Sequence, residues 1–584
     1  MMNQRNVRPF DGVMALTLAA ITVVMLDVIA PQQPVDEAVL REMQESAPVG
    51  GSWVCTAGIG GEDAVLRPIF GDLDEDDNAF EDDTLDEPVS LAVQPEGDDV
   101  DDELFDEEDL SDGTNQNTYT PQPRQAAGIE LAIIRPDSLW EVIGSVTIRE
   151  YHAGVEVHSV TYDTAAASEI RYAPLGSSDA AFVEVSWSGP PVSVSRTWSL
   201  PGDPIPATLS GPCQSSSAYG FVAPGFSTAN GANVRLRIAN PYPTSATVSV
   251  NFFTPSGVES PTVLSNVSIS PFSVLETVVN DVLPELDDVA AQIQVLAGRV
   301  AVEGTVFASV TGGATRGMSL LPVLPRERAL QPDAPVTDDA LGEPRYIHAA
   351  AALFDKGDAR SWVWFTNVSD RAARVDLVLH TPDGAVPPEG LSEVSIPPRS
   401  VRRIALNDTF PRDVTIAGLS GRTDSAAVYM SVASELGGDS QPRGFGLTSG
   451  QAPDHRWVLS SPRSDRRREQ ILITNVSADD VSVDMWFNDG KTITEPEELQ
   501  ARLIPAGASR AFILDELLVP GFGTTVLVRA QGEAIVVSSF GYTSGITDEH
   551  LVLDAGASSD RWLVKNRQLE VRRDSTLLRT LPGR

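Results

Sequence analysis

The chain has 584 residues, an apolar content of 42% and a formal net charge of −40, because 82 acidic residues outnumber 42 Lys and Arg. This length allows roughly four domains of about 150 residues each. The negative charge argues against nucleic acid as a partner, since phosphates are neutralised by clustered Lys and Arg, and also against adsorption to anionic lipid.

The first predicted element is a membrane-spanning helix at residues 12–30, which are apolar apart from two threonines and one aspartate. At about 1.5 Å per residue, this helix just spans the hydrocarbon core of a bilayer. The preceding tail, residues 1–11, carries two arginines and one acid, which predicts a cytoplasmic N-terminus. A cleaved signal peptide is the alternative, although Pro31 should hinder cleavage after the apolar run. Either way, the chain beyond a linker at 31–47 is expected outside the cytoplasm, at the cell membrane.

The chain contains two cysteines, Cys55 and Cys213. An isolated pair in an exported protein is typical of a structural disulfide, so we predict that these two residues are bonded. Two free buried thiols are the alternative. A bridge across so long a loop would constrain the unfolded state by about 4 to 5 kcal/mol in the chain-entropy account.

A strongly acidic insert is predicted at about residues 62–123. Its centre, 72–112, holds 21 acidic residues among 41 and neither Lys nor Arg. This composition offers little to bury and predicts disorder. Calcium binding is a weaker alternative, because the run that starts at Asp72 does not match the glycine and glutamate spacing of an EF-hand loop.

Three later stretches repeat one another and organise the rest of the chain. Each is anchored by an asparagine: Asn240, Asn367 or Asn475. An isoleucine stands 29 residues after each anchor, and an Asn or Asp stands 40 residues after it. Identical offsets in three places predict three copies of one structural unit. The isoleucines are Ile269, Ile396 and Ile504, and the residues at the second offset are Asn280, Asn407 and Asp515.

The copies alternate apolar and polar residues, which predicts strands with one buried face. Val248, Val250 and Phe252 show this period, and the other copies carry apolar residues at the same offsets. We interpret the anchoring asparagine as a hairpin-turn residue, since Asn tolerates left-handed backbone and bonds its own backbone. The Pro-containing segment after each isoleucine is typical of an edge strand, where the missing N–H of proline breaks no ladder hydrogen bond. The predicted fold class is all-β: tandem immunoglobulin-like β-sandwich repeats behind one N-terminal transmembrane helix.

These patterns give a domain map. A degenerate sandwich unit that hosts the acidic insert is expected first, because the segments 128–140 and 180–199 suit its opening and closing strands. The predicted domains are the degenerate unit at 48–213, a repeat at 214–320, a Pro-rich linker at 321–344, a repeat at 345–450, and a repeat at 451–584 that ends in a basic tail at 561–584.

The chain resembles an uncharacterised actinobacterial family of secreted or membrane-anchored proteins. The resemblance rests on the N-terminal anchor, on SWVC at 52–55, on GPC at 211–213 and on the repeated units. It covers nearly all of the exported part. It implies an envelope-polysaccharide context and no known activity, and the acidic insert departs from what such a family would share.

The sequence contains no motif of a zinc protease, a serine hydrolase or a phosphate-binding loop. His152 and His158 share a strand-like stretch with Glu150 and Glu156, which makes them a weak metal or acid–base candidate. Polar residues on a solvent-facing strand explain the same pattern. We therefore predict no catalytic, cofactor-binding or metal-binding residues.

Repeated strand units behind an anchor indicate a non-enzymatic scaffold or binding protein of the cell envelope. Its expected partners are the membrane, through residues 12–30, and an envelope glycan or envelope membrane protein, with no nucleic acid. Two alternatives stay open. An accessory subunit of a membrane glycosyltransferase would make its contact through the helix, and an enzyme of envelope glycan would need acids or histidines clustered on one face.

Overall fold

The computed structural model describes most strands of the chain and many of their connections. The described residues are 50–55, 127–133, 144–164, 170–174, 181–188, 192–200, 207–215, 220–309, 315–325, 335–338, 344–353, 359–406, 416–436, 444–461, 467–488, 493–494, 496–514, 524–544, 549–555 and 557–558. The predicted helix at 12–30, the acidic insert at 62–123 and the basic tail at 561–584 lie outside them, as do Asn407 and Asp515. Within the described part, no helix has the length and apolar character needed to cross a membrane.

The described strands form four consecutive groups, which we call units 1 to 4. Unit 1 contains β1 (Gly50–Cys55), β2 (Ala127–Ile133), β3 (Gly144–His152), β4 (Val155–Thr164), β5 (Ile170–Pro174), β6 (Phe182–Ser188), β7 (Val192–Leu200), β8 (Ala207–Pro212) and β9 (Gln214–Ser215). Unit 2 contains β10 (Gly220–Phe226), β11 (Asn233–Asn240), β12 (Ala246–Thr254), β13 (Gly257–Glu259), β14 (Val267–Ile269), β15 (Ser273–Val278), β16 (Val289–Ala297), β17 (Ala301–Ser309), β18 (Thr315–Leu321) and β19 (Leu324–Pro325). Unit 3 contains β20 (Pro335–Asp338), β21 (Pro344–Leu353), β22 (Ala359–Asn367), β23 (Ala373–Thr381), β24 (Gly384–Val386), β25 (Val394–Ile396), β26 (Ser400–Ala405), β27 (Ile416–Thr423), β28 (Val428–Leu436) and β29 (Gly444–Ser449). Unit 4 contains β30 (Arg456–Ser461), β31 (Arg467–Asn475), β32 (Val481–Asn488), β33 (Ile493–Thr494), β34 (Arg502–Ile504), β35 (Ser509–Ile513), β36 (Thr524–Gln531), β37 (Ile535–Ser544), β38 (Glu549–Ala555) and β39 (Ala557–Ser558).

Each unit consists of one larger and one smaller antiparallel sheet. In unit 2 the larger sheet has the order β13-β12-β16-β10-β19, with β14 also pairing β12, and the smaller sheet has the order β15-β11-β17-β18. Unit 4 repeats this arrangement. Unit 1 repeats it too, except that one strand, β4, forms the sheet edge next to β3, where unit 2 has both β13 and β14. Unit 3 differs only next to β21, where β20 occupies the position of β19. The all-β prediction is confirmed, and unit 1 has the strand order of the other copies.

The two sheets of a unit enclose a core because their alternating apolar side chains point toward each other. In unit 3, Leu377 and Leu419 of the larger sheet join Val363, Phe365 and Met430 of the smaller sheet in one cluster, each at most 2% exposed. The period-two pattern noted in the sequence therefore marks the inner faces of both sheets.

The short strands β14, β25 and β34 lie at the edge of the larger sheet, as predicted from the prolines that follow the repeated isoleucines. Each pairs only with the outer strand of its larger sheet, and each ends at one of the three repeated isoleucines. The prolines that follow lose no ladder hydrogen bond there. The Pro-rich segment at 321–344 differs from the predicted linker, because it contributes two short strands, β19 and β20, that pair with β10 and β21.

The anchoring asparagines are not hairpin residues, which corrects the sequence interpretation. The strands on either side of each, such as β11 and β12, belong to different sheets, so the chain arches from one layer to the other. None of the three has a positive φ. In every copy the side-chain amide donates to the carbonyl oxygens 4, 29 and 30 residues later, at 2.7–3.2 Å. Its oxygen accepts the backbone N–H two residues later, at 3.0–3.1 Å.

This bonding explains the repeat spacing of 29. The asparagine side chains are completely buried, and each satisfies carbonyl groups from two separate connections. A buried carbonyl without a donor is costly, so the isoleucine and the asparagine must keep their separation. Local bonding by the asparagine was predicted correctly, whereas its link to a distant segment was not.

The units also pack against one another in chain order. Clusters of buried apolar side chains join unit 1 to unit 2, unit 2 to unit 3 and unit 3 to unit 4. In each case the larger sheet of one unit faces the smaller sheet of the next. The strand β8 of unit 1 also contacts β30 and β38 of unit 4. The four units therefore close into a ring.

Four equivalent edge strands, β8, β18, β29 and β38, meet inside this ring, and each contacts at least two of the others. Between β18 and β29, the buried Ser319 hydroxyl accepts the Leu447 backbone N–H at 2.8 Å and donates to the Leu447 carbonyl at 3.2 Å. The inner strands are thus held by hydrogen bonds as well as by apolar packing.

Candidate functional site

The weak metal or acid–base candidate lies on the hairpin of β3 and β4. Glu150 stands opposite His158 in the strand register, but only 1% of Glu150 is exposed, whereas His152, Glu156 and His158 are exposed. The structure therefore separates these side chains between the interior and the solvent. In the part of the chain that is described, no three His, Cys, Asp or Glu side chains are placed to hold a metal ion.

The junction between units 1 and 2 is built around Tyr151. Its ring stacks on Phe182 of unit 1 with centroids 4.8 Å apart, and on Phe272 of unit 2 with centroids 5.0 Å apart. The hydroxyl donates to Glu184 at 3.4 Å. Burial, together with the negative charge of Glu184, raises the pKa of Tyr151 to about 12. The phenol is therefore neutral at physiological pH and serves packing between the units.

The junction between units 2 and 3 depends on a glycine. A Cβ on Gly225 of β10 would lie 2.3 Å from the Cβ of Trp364 on β22, so no other residue fits there without displacement. The Trp364 indole N–H donates to Asp288 at 3.0 Å, and Arg403 forms an ion pair with the same carboxylate at 3.0 Å. Thr366 donates to the Pro224 carbonyl. Hydrogen bonds thus fix the register of the two units.

The junction between units 3 and 4 encloses a histidine. His380 of β23 is completely buried, with Nδ1 2.8 Å from the Gly507 carbonyl and Nε2 2.7 Å from the Ser420 hydroxyl. The carbonyl can only accept, so Nδ1 carries the proton and Nε2 accepts from Ser420. Burial, opposed by the bond to Gly507 and aided by nearby Arg422, lowers the pKa of His380 to about 4. The imidazole is therefore neutral at physiological pH.

The disulfide predicted between Cys55 and Cys213 is present, and it lies in the core of unit 1. It ties the end of β1 to the residue that separates β8 from β9. In unit 2 the same two positions, judged by strand register, are Ala223 and Val323, which are also buried. The covalent bond therefore occupies a place that a second copy fills with apolar packing.

The junction residues were not predicted as a group from the sequence. The signal that would have found some of them is the repeat offset itself. Positions one residue before the anchoring asparagine, namely Ala239, Thr366 and Thr474, all face the preceding unit. Such a face is visible only once the sheets are known to stack.

Comparisons with known proteins give one partial family match. A family of unknown function (DUF5719) matches residues 180–331. The match begins just before β6, continues through the remaining strands of unit 1 and spans all of unit 2. No curated protein matches the chain. The matched segment includes Cys213, the Tyr151 partners Phe182 and Phe272, and the arch at Asn240.

Proposed function

We propose that this protein is a non-enzymatic scaffold or binding protein of the cell envelope, anchored at its N-terminus and placed outside the cytoplasm. The observation that carries the proposal is the closed ring of four units. Buried apolar clusters join units 1 to 2, 2 to 3 and 3 to 4, hydrogen bonds add to the second and third of these junctions, and strand contacts close unit 4 onto unit 1. The ring therefore presents its outer edges and connecting segments in fixed relative positions. A rigid display of this kind suits a protein that positions a partner.

The disulfide supports the proposed location. Structural disulfides form and persist in oxidising compartments outside the cytoplasm. The apolar segment at 12–30 provides the proposed membrane anchor, with residues 1–11 on the cytoplasmic side. The expected partner is an envelope glycan or an envelope membrane protein.

Cross-linking in intact cells, followed by purification of the full chain from membranes, tests the proposal. We expect an envelope glycan or envelope protein to be recovered with the chain. The matched control replaces residues 12–30 by an unrelated membrane-spanning helix. Retention of the partner in this variant assigns the contact to the ring.

Loss of the partner on helix exchange would instead support an accessory subunit that binds a membrane glycosyltransferase through its helix. A variant that perturbs the ring, Gly225→Trp, is the converse control, since its side chain cannot fit against Trp364. Recovery of no envelope component from either form would overturn the scaffold proposal.

A further inference from the structure

A polar cleft opens between units 1 and 2, beyond the stacked rings of Tyr151 and Phe272. Glu184 of β6 and Arg237 of β11 mark it, because the side chain of each is 18% exposed. Both strands have a neighbour on either side within their sheets, and the two sheets face each other. Solvent therefore reaches these side chains through the space between the sheets, which we call the polar cleft.

The position of Arg237 is apolar and closed at the next two junctions. Three residues before the anchoring asparagine stand Trp364 in unit 3 and Leu472 in unit 4, which are 1% and 2% exposed. Trp364 packs directly against Gly225 of the preceding unit. The opening beside Arg237 therefore sets the junction of units 1 and 2 apart from the two that follow it.

The wall from unit 1 carries hydroxyl groups at successive positions of the sheet face that looks toward unit 2. Thr147 of β3 stands between Thr161 of β4 and Ser186 of β6 in the strand register. The Thr147 and Thr161 hydroxyls are 3.0 Å apart, and those of Ser145 and Ser188 in the next row are 3.1 Å apart. All five side chains are half-buried or exposed. A hydroxyl has one donor and two acceptor sites, so these groups retain capacity to bind a ligand.

The charged groups of the cleft have both signs and are paired within each wall. The ion pairs, of 2.8–3.9 Å, are Arg149 with Glu184 and Glu156 in unit 1, and Arg235 and Arg237 with Glu276 in unit 2. Glu303 adds a further carboxylate opposite Arg237 in the strand register. A strongly charged ligand of either sign would therefore meet groups of its own sign on both walls.

We propose that the polar cleft binds an uncharged, hydroxyl-rich chain, which means a neutral oligosaccharide or a neutral stretch of polysaccharide. Sugar hydroxyls donate and accept hydrogen bonds, so they match a wall of Ser and Thr hydroxyls flanked by guanidinium donors and carboxylate acceptors. An apolar ligand would leave these wall groups without partners, which is costly.

The walls also suit such a ligand in order and in size. Side chains that already bond to one another lose little freedom on binding. From Glu184 to Ser188 the wall from unit 1 is about 13 Å long, the length of a short oligosaccharide. This inference rests on the scaffold proposal above, and it assigns the contact to a glycan and places it between units 1 and 2.

Affinity electrophoresis of the full chain in detergent tests the site. The probe is the neutral polysaccharide fraction from the envelope of the cells that produce the protein, freed of protein. We expect the double variant Thr147→Ala and Ser186→Ala to bind about tenfold more weakly, because two hydroxyls are lost from the wall. The matched control is Gln294→Ala, since Gln294 is half-exposed and holds the position of Ser186 in unit 2. It should bind as the unmodified chain does.

A second variant, Arg237→Leu, introduces the residue that unit 4 has at this position and should also weaken binding. Thermal unfolding identifies any variant that does not fold. Unchanged binding by the double hydroxyl variant, or an equal loss in Gln294→Ala, would overturn the site. Equally strong binding of an acidic polysaccharide would overturn the assignment of an uncharged ligand.

The failure of this inference is distinguishable from the failure of the scaffold proposal. If cross-linking in cells recovers an envelope protein while the purified chain binds no neutral polysaccharide, the scaffold proposal stands and the glycan site is overturned. If neither experiment recovers a partner, both are overturned.

Discussion

Units 1 and 2 reach the same strand order with different solutions at the connection between their first two strands. In unit 2, β10 and β11 are joined by residues 227–232, six in number. Asn280 closes this connection, donating to the Thr228 and Ala232 carbonyls at 3.0 and 2.6 Å. In unit 1, the equivalent strands β1 and β2 are joined by residues 56–126, 71 in number.

The difference shows how chain entropy is offset in a repeat protein. Lengthening a connection from six to 71 residues disfavours strand docking by about 2 kcal/mol. A disulfide across a long loop stabilises by about 4 to 5 kcal/mol in the chain-entropy account, which exceeds that penalty. Unit 1 therefore tolerates the acidic insert because Cys55 holds β1 to the strands that follow the insert, whereas unit 2 manages with Ala223 and Val323.

The largest expected effect comes from removing this bond. We expect the double variant Cys55→Ser and Cys213→Ser to lose about 4 kcal/mol and to release β1. Hydrogen exchange should rise sharply in β1 and stay nearly unchanged in β10. As the matched change in unit 2, Val323→Ala should lower stability by about 2 kcal/mol. Equal protection of β1 with and without the bond would break the comparison.

The second effect concerns the arch that units 2 to 4 share. We expect Asn367→Ala to destabilise unit 3 by about 2 to 3 kcal/mol, because the buried Ile396 carbonyl and two partly buried carbonyl groups lose their donor. Asn367→Asp should be at least as damaging, since a carboxylate would face those carbonyls. Chemical unfolding of the purified chain checks both changes. A loss below about 0.5 kcal/mol for the alanine variant would show that water replaces the amide.

The third effect is a pH dependence that sets unit 3 apart. The pKa of His380 is lowered from 6.5 to about 4, so the contribution of the neutral imidazole is fully present above pH 6.5. It is lost as pH falls from 6.5 toward about 4, by up to roughly 3 kcal/mol.

At the position of His380, unit 2 carries Phe253, which is also buried. We therefore expect His380→Phe to reduce the acid sensitivity of unfolding, even though Ser420 and Gly507 lose a partner. Thermal unfolding of both proteins across this pH range is the measurement. Parallel pH profiles would mean that other groups control acid unfolding.

The smallest effect lies in a turn that all three copies share. Phe272, Arg399 and Gly507 occupy the same offset, and all have positive φ, between 47° and 68°. Glycine adopts this conformation without the steric penalty of a side chain. We expect Arg399→Gly to stabilise unit 3 by about 0.5 kcal/mol, because the exposed ion pair with Asp370 contributes little. Thermal unfolding at neutral pH measures the change, and a loss of stability would show that the ion pair outweighs the strain.

The sequence predicted those features that depend on local pattern. Period two located the strands, and the offset of 29 identified the anchoring asparagines as equivalent positions, although they were interpreted as hairpin residues. The sequence did not reveal what the offset does, because Asn240 binds backbone carbonyl groups of residues 269 and 270, and a backbone acceptor leaves no signal in the side chains. Ring closure was not predicted for a similar reason, since inner contacts such as that of Ser319 with the Leu447 backbone use ordinary residues.

The candidate site shows the same division. The pairing of Cys55 with Cys213 could be predicted because these are the two cysteines in the chain. The burial of Glu150 and of His380 could not, because each depends on what the opposite sheet brings to that position. The alternation of apolar and polar residues along a strand does not show whether the face that points away from the core of its own unit meets solvent or another unit.

The direction of β1 gives the ring a polarity. The chain enters this strand at Gly50 and leaves it at Cys55, so the segments before and after it attach at opposite ends of unit 1, about 17 Å apart. A membrane tether attached before β1 would therefore act on the Gly50 end of this strand, whereas the acidic insert follows the Cys55 end. One end of unit 1 would face the tether, and the stretch richest in negative charge would start from the far end.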